Sequence, residues 1–223
     1  MQINADFTQR VLVKAEATDW VPSPMPGVDR KMLDRIGEEV ARATTIVRFA
    51  PGSAFSSHTH DGGEEFLVLD GVFQDEHGDF PAGSYIRNPP TSSHTPAAAA
   101  GTTILVKLHQ FDPDDRTHLR IATDKAAPVA AAGRDGVSVL PLFKDLHEEV
   151  RMEIWEPGAE VAFDAPGGLE LFVVEGEVEE AGDRLGAWDW LRLPPGAKLS
   201  AEAGPKGAKI WLKTGHLSQM VPA

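Results

Sequence analysis

Cysteine is absent from the 223 residues, and nowhere does an apolar run reach the length of roughly 18 residues that a membrane helix needs. The first absence excludes disulfides and thiolate metal sites, so any bound metal must be held by imidazole and carboxylate. It also agrees with a reducing compartment. The start, MQINADFTQRVLV, lacks a basic stretch leading into an apolar one, so no export signal is read and a soluble cytoplasmic protein is expected. Basic residues are in short supply: 21 Lys and Arg stand against 34 Asp and Glu, a formal charge of −13 at pH 7. That charge repels phosphate backbones and anionic head groups, so neither nucleic acid nor a membrane surface is an expected partner. Long amphipathic helical periodicity is nearly missing as well, apart from a short helix expected at Leu33 to Val40.

What the chain does contain is the rhythm of antiparallel β-structure. Short stretches rich in Val, Ile, Leu and Phe (Ala43 to Phe49, Glu65 to Leu69, Ser84 to Asn88, Thr102 to Phe111) alternate with Gly and Pro clusters. The length admits one large β domain or two smaller ones, and an internal repeat decides for two. Pro51-Gly52 returns as Pro157-Gly158, and Glu65-Phe66-Leu67-Val68-Leu69-Asp70-Gly71 as Glu170-Leu171-Phe172-Val173-Val174-Glu175-Gly176. Arg87-Asn88-Pro89-Pro90 returns as Arg192-Leu193-Pro194-Pro195, and Ile104-Leu105-Val106-Lys107 as Ile210-Trp211-Leu212-Lys213. Between the copies, Asp112 to Gly136 has the composition of a linker with one strand, Leu119 to Ala122, inside it. The expected domains are 1–113 and 114–223.

The first copy carries a donor cluster. In GSAFSSHTHDGGEEFLVLDG, His58 and His60 are separated by one residue, which on a strand projects both imidazoles from one face about 6–7 Å apart. Asp61-Gly62-Gly63 forms a tight turn that brings Glu64 back towards them. A further ligand should come from a distant strand of a closed barrel, and GSYIRNPPTSSHTP offers His94 behind a stiff Pro-Pro pair. Three His and one Glu suit a six-coordinate Fe, Mn, Ni or Co ion with open positions, or Zn at four or five. Glu65 reads as a group orienting a ligand or as one pointing outward. Tyr85 and Arg87 share a face and read either as pocket lining or as cross-strand packing with an ion pair. His77, His109, His118, His147 and His216 lack partners at ligand spacing, while Trp155, Trp188, Trp190 and Trp211 read as core or interface.

These two segments resemble the paired motifs of the cupin superfamily, G-x5-H-x-H-x3,4-E-x6-G and G-x5-P-x-G-x2-H-x3-N. The first is met by Gly52, His58, His60, Glu64 and Gly71, the second by Gly83, Pro89 and His94, with Thr91 and Ala98 replacing the motif Gly and Asn. HTHDGGEE, NPPTSSHTP and MPGVDRK upstream are similar to the cupin domain of ChrR-type anti-sigma factors and related double-cupin proteins. The resemblance implies an all-β chain of two tandem cupin barrels (double-stranded β-helices, or jelly rolls), with one divalent metal, zinc being favoured. It implies a regulatory or sensing module, though no helical zinc domain precedes the cupin pattern, so sigma-factor binding by that mode is not expected. An alternative is an Fe-, Mn- or Ni-dependent dioxygenase cleaving a small diketone or hydroxylated aromatic ketone; a third is a structural module. A small-molecule ligand, a protein partner and a homodimer all stay open.

The second copy has FDAPGGLE where the first has SHTHDGGEE, and Leu199 where the first has His94. Glu170 alone remains, at the repeat position of Glu65 and not of Glu64. The second barrel is expected to be degenerate, without metal ligands.

Overall fold

The computed structural model describes residues 1–218 and 220, and among these no helix forms. None is therefore long and apolar enough to cross a membrane. Every strand pairing is antiparallel, as the all-β expectation required.

The chain divides into two compact units, one of Met1–Ala5 with Asp19–Lys125, the other of Asp6–Thr18 with Ala126–Ala223. This differs from the expected cut between 113 and 114 at two places, and edge-strand pairing is the reason for both. Leu119–Ala122 pairs with Ser84–Asn88 of the first unit, so the linker strand completes that sheet. Val11–Val13 pairs with Trp190–Leu193, so residues near the N-terminus complete the second. Each barrel thus has its exposed edge closed by the strand that precedes the other barrel in sequence, leaving fewer unpaired backbone groups.

The first unit orders its main sheet Gln2–Ile3, Val28–Gly37, Ala41–Phe49, Thr102–Leu108, Glu64–Asp75, Ser84–Asn88, Leu119–Ala122. The second repeats the plan with Val129–Ala130, Val137–Lys144, Glu149–Trp155, Ala197–Thr214, Leu169–Glu180, Trp190–Leu193, Val11–Val13. Further antiparallel pairings complete each unit: His58–His60 with Ser92–His94 in the first, Glu160–Ala165 with Ala197–Thr214 in the second.

The segment expected to be helical at Leu33 to Val40 is instead the end of the strand Val28–Gly37 and the turn into Ala41–Phe49. Gly37 makes that turn at φ 120, where an added Cβ would lie 2.6 Å from the Val40 carbonyl. Tertiary pairing here overrides a helix-like local pattern.

Inside the first unit, Val28, Val47, Phe66, Val68, Phe73, Ile86, Ile104 and Val106 form the core, with Phe49, Phe55, Phe80 and Leu108 packed on it. The second core is larger and built mainly of Leu, Val and Ala with Trp155. At about 1.5–3 kcal/mol for each buried large aliphatic or aromatic side chain, either core stabilises its barrel without help from an ion.

Candidate metal centre

The strands His58–His60 and Ser92–His94 form a small two-stranded sheet of their own, in which His94 lies opposite His58 and Ser92 opposite His60. Residues facing one another across such a ladder project to the same side. The three imidazoles therefore form a near-equilateral triangle, with ring centroids 4.9, 5.0 and 4.7 Å apart. One ring nitrogen from each lies within 4.8 Å of the others, the only such group of three His or acidic side chains among the described residues.

Glu64 begins the long strand Glu64–Asp75, reached through the turn Asp61-Gly62-Gly63. Gly63 adopts φ 76, and a Cβ on Gly62 would lie 2.2 Å from His109 Nδ1, so this turn demands glycine twice. Glu64 Oε2 stands 3.4 Å from His60 Nε2 and 3.6 Å from His94 Nε2, and accepts a hydrogen bond of 3.1 Å from Asn88 Nδ2. Asn88 is in register with Glu64 on the neighbouring strand. It holds the carboxylate oxygen against the imidazoles.

The electrostatics prepare the rings as ligands. His60 is pushed down to about 4, first by burial and then by His58 and His109. Burial likewise holds His94 below its ordinary value, against the pull of Glu64. Burial raises Glu64, with His94 and Asn88 opposing it. Two of the three imidazoles are thus neutral at pH 7, the form that donates a lone pair. His60 Nε2 and His94 Nε2 are buried polar atoms without a hydrogen-bond partner, although such atoms are nearly always satisfied in folded proteins. A cation between them and Glu64 would satisfy all of these groups at once, so the donor set fits a divalent metal. His58 is exposed; its Nδ1 lies 3.3 Å from the Ser56 carbonyl, which leaves Nε2 for the centre.

Two supporting residues escaped the sequence. Asp75 Oδ2 lies 3.4 Å from His94 Nδ1, close but not aligned as a hydrogen bond, on the side of the ring from which a carboxylate can orient a ligating histidine. Asn88 is the other. Neither has a spacing signal of its own, since both act through register at the far end or the neighbour of the Glu64 strand.

Glu65, Tyr85 and Arg87 belong elsewhere. Alternation along the strands turns them to the face opposite Glu64 and Asn88. There Glu65 Oε2 accepts from Tyr85 Oη at 2.7 Å and from Arg87 Nη1 at 2.9 Å. Arg87 also pairs with Asp115 at 2.8 Å and stacks on Phe111 at 4.0 Å. Reading them as pocket or ligand-orienting residues is corrected by this alternation. So is the outward alternative for Glu65, which is only 1% exposed. In the second unit Glu170 repeats the role of Glu65: it is in register with Arg192 and Lys213, as Glu65 is with Arg87 and Lys107. It accepts from Trp190 Nε1 at 3.0 Å and lies 2.9 Å from His216 Nε2.

Residues 8–112 match the family described as the ChrR cupin-like domain. No curated protein matches the sequence. Among solved structures, a provisionally assigned dioxygenase from Nostoc punctiforme is similar at a TM-score of 0.80 and 15% identity, over 95% of this chain and 84% of that one. The pirin YhhW of Escherichia coli in complex with nickel(II) reaches 0.66 at 16% identity, over 92% and 98%. A variant of oxalate decarboxylase from Bacillus subtilis reaches 0.61 at 13% identity, over 92% and 76%. Identities this low establish a common fold. With two barrels of the same strand order, the chain has the cupin fold, and residues 8–112, where the paired motifs lie, match the ChrR cupin-like domain.

Proposed function

We propose that the first barrel binds one divalent metal ion through His58, His60, His94 and Glu64, and that the ion serves a regulatory or sensing role. The observation that carries metal binding is the pair of buried, unpartnered Nε2 atoms of His60 and His94 facing the same Glu64 oxygen. What favours a regulatory ion is that Asn88 holds a Glu64 oxygen beside His60 and His94, where it can serve as a fourth donor to the three imidazoles. A tetrahedral ion such as zinc is filled by four donors, as in non-catalytic sites. Similarity to the ChrR cupin-like domain supports the same reading. We place the protein in a reducing cytoplasm, which its lack of cysteine suits.

One observation favours a second reading. His58 is exposed, and Phe73 lies behind His94 with ring centroids 5.7 Å apart, Phe49 and Phe66 packing around Phe73 in turn. A six-coordinate Fe, Mn or Ni ion would keep two positions free, reachable past His58 and bordered by an aromatic floor suited to a small apolar ketone. When bound, such an ion would act as template and Lewis acid. In that case the chain's own contribution is to hold His94 through Asp75, to keep His60 neutral by burial, and to exclude water on the phenylalanine side.

Elemental analysis of the protein as purified separates the two, followed by oxygen-uptake assays after separate reconstitution with Fe(II), Mn(II), Ni(II) and Zn(II) against small diketones and hydroxylated aromatic ketones. Tight zinc at one ion per chain without turnover is expected; Fe-dependent oxygen consumption would replace the regulatory reading with the enzymatic one.

A further inference from the structure

The second barrel has lost the donor positions of the first, yet its interior is not wholly apolar. Arg151, Glu153 and Trp155 alternate along the strand Glu149–Trp155 and share the face on which Trp155 joins the core. By strand register they occupy the places of Thr45, Val47 and Phe49 in the first barrel, where no charge stands. Glu153 is fully buried and receives hydrogen bonds from Arg134 Nη1 at 2.9 and 2.8 Å, from Arg151 Nε at 2.7 Å and from Trp155 Nε1 at 2.7 Å. Burial by itself raises this carboxyl; the bonds and charge of Arg134 and Arg151 bring it below its ordinary value, so it is ionised.

A buried ion cluster in a core that could be filled by leucine is weak evidence for stability, because well-packed apolar residues commonly do as well or better. Its arrangement indicates another use. Glu153 takes Arg134 Nη1 and Arg151 Nε, and among the described residues no side-chain hydrogen bond engages Arg134 Nη2 or Arg151 Nη2. Arg151 is only 8% exposed. Both arginines line a cavity of about 430 Å³, and both stand over the ring of Phe163, at 5.8 and 5.6 Å from its centroid. Phe163 takes the position that His58 holds in the first barrel. One wall of the cavity therefore corresponds to the edge of the first barrel's donor cluster, while the places of Glu64 and His94 are filled by Leu169 and Leu199 in the packed core.

We infer that this cavity is a binding site for a small carboxylate that also carries a hydrogen-bond donor, such as a hydroxycarboxylic acid. Two guanidinium nitrogens held by a shared glutamate form a preorganised fork for a carboxylate, and Phe163 supplies an apolar wall. The rim explains the second group on the ligand. Glu149 and Asp164 also line the cavity, and Glu149 is bonded to Lys144 at 2.8 Å. With Arg134, Arg151 and Lys144 against Glu153, Glu149 and Asp164, the site is neutral in sum. A bare dianion gains little there, whereas a ligand that accepts from the arginines and donates to the rim carboxylates is matched at both ends. The site is independent of the metal proposal.

Hydroxycarboxylates chelate metals, so the test uses metal-free full-length protein and, in parallel, the His60→Ala variant. Malate and tartrate are titrated by calorimetry beside succinate, their counterpart without hydroxyls. The expected result is saturable binding at one site per chain, tighter for the hydroxy acids, unchanged in His60→Ala and weakened at least about tenfold in Arg134→Gln, which removes a charged donor. Arg134→Gln removes two of the bonds to buried Glu153 and should lower the melting temperature, so binding is measured at a temperature where circular dichroism shows the variant folded. Absence of saturable binding at millimolar concentrations, retention of full affinity in Arg134→Gln, or loss in His60→Ala would each overturn the inference.

Discussion

The two barrels present a controlled comparison within one chain: the same strand order, the same register across three central strands, and opposite chemistry at four equivalent positions. Where the first has His58, His60, Glu64 and His94, the second has Phe163, Ala165, Leu169 and Leu199. Asn88, which holds Glu64, is replaced by Leu193. Ala165, Leu169 and Leu199 are buried in the second core, and Phe163 packs on it half-buried. The backbone thus sets where four side chains meet, and their identity alone decides whether the meeting point is a donor cluster or a packed core. What stays in common lies on the other face: Arg87, Glu65 and Lys107 recur as Arg192, Glu170 and Lys213. That buried polar ladder belongs to the architecture and not to the site.

The largest effect expected from this contrast is on metal content. His60→Ala should lower the metal from one ion per chain to well below it, by elemental analysis after dialysis, while Glu170→Ala leaves the content unchanged. Glu170→Ala strands the Trp190 donor and should cost about 1–3 kcal/mol in denaturant unfolding. Loss of metal in Glu170→Ala would break the assignment of the two glutamates to different faces.

Stability should respond in the reverse order. Leu199 is fully buried among leucines and valines, so Leu199→Ala should destabilise the second barrel by about 2–5 kcal/mol through lost contacts and a cavity. His94→Ala at the equivalent place in metal-free protein should cost less, since it removes a ring with unsatisfied nitrogens. Urea unfolding of both metal-free variants decides it, and equal losses would remove the distinction between packed core and donor cluster.

Acid should act through the first barrel. His60 titrates near 6.5 when unfolded and at about 4 when folded. Between those values the unfolded chain binds a proton that the folded one refuses, so metal-free protein loses stability as pH falls through this window, by roughly 3 kcal/mol in full. Unfolding at pH 7 and at pH 4.5 should show that loss, and His60→Gln should flatten it. An unchanged pH slope in the variant would show that His60 is not held neutral by its surroundings. Smaller again is the effect of Asp75→Asn, which leaves every ligand in place but weakens the hold on His94. A drop of about 10–100-fold in metal affinity is expected from competition with a chelator of known strength.

Much of this was readable from the chain alone, and the reasons are local. Strands announced themselves by β-branched and aromatic runs between Gly and Pro, and Leu119 to Ala122 was placed inside the linker. The four donors stood at one motif's spacing, and the turn that joins them is forced by Gly62 and Gly63. What stayed hidden depends on pairing between distant residues. Nothing near Val11–Val13 says that it will pair with Trp190–Leu193, and the linker strand gives no sign of which sheet it joins. Glu65 and Glu64 are adjacent in sequence, yet the pleat sends one to the imidazoles and the other to Arg87. Arg134 and Glu153 lie too far apart in sequence for any spacing rule to join them.

The smallest effect tests a departure from the motif. Thr91 stands where the cupin pattern has glycine, and the second barrel keeps that glycine as Gly196 at φ 81. The backbone makes the same turn in both: Thr91 sits at φ 73, in the left-handed region that a β-branched residue enters at a cost of about 1–2 kcal/mol. It is retained there with its amide donating to the His60 carbonyl at 3.0 Å, a bond that ties the two ligand strands together and does not depend on the side chain. Thr91→Gly should relieve the strain, less the greater entropy that glycine gives the unfolded chain, for a net stabilisation of about 0.5–1 kcal/mol with metal affinity unchanged. The reverse change, Gly196→Thr, should destabilise the second barrel by a similar amount. If Thr91→Gly instead weakens metal binding, the threonine side chain holds the strand pair in a way that its backbone bond does not account for, and the equivalence of the two turns fails.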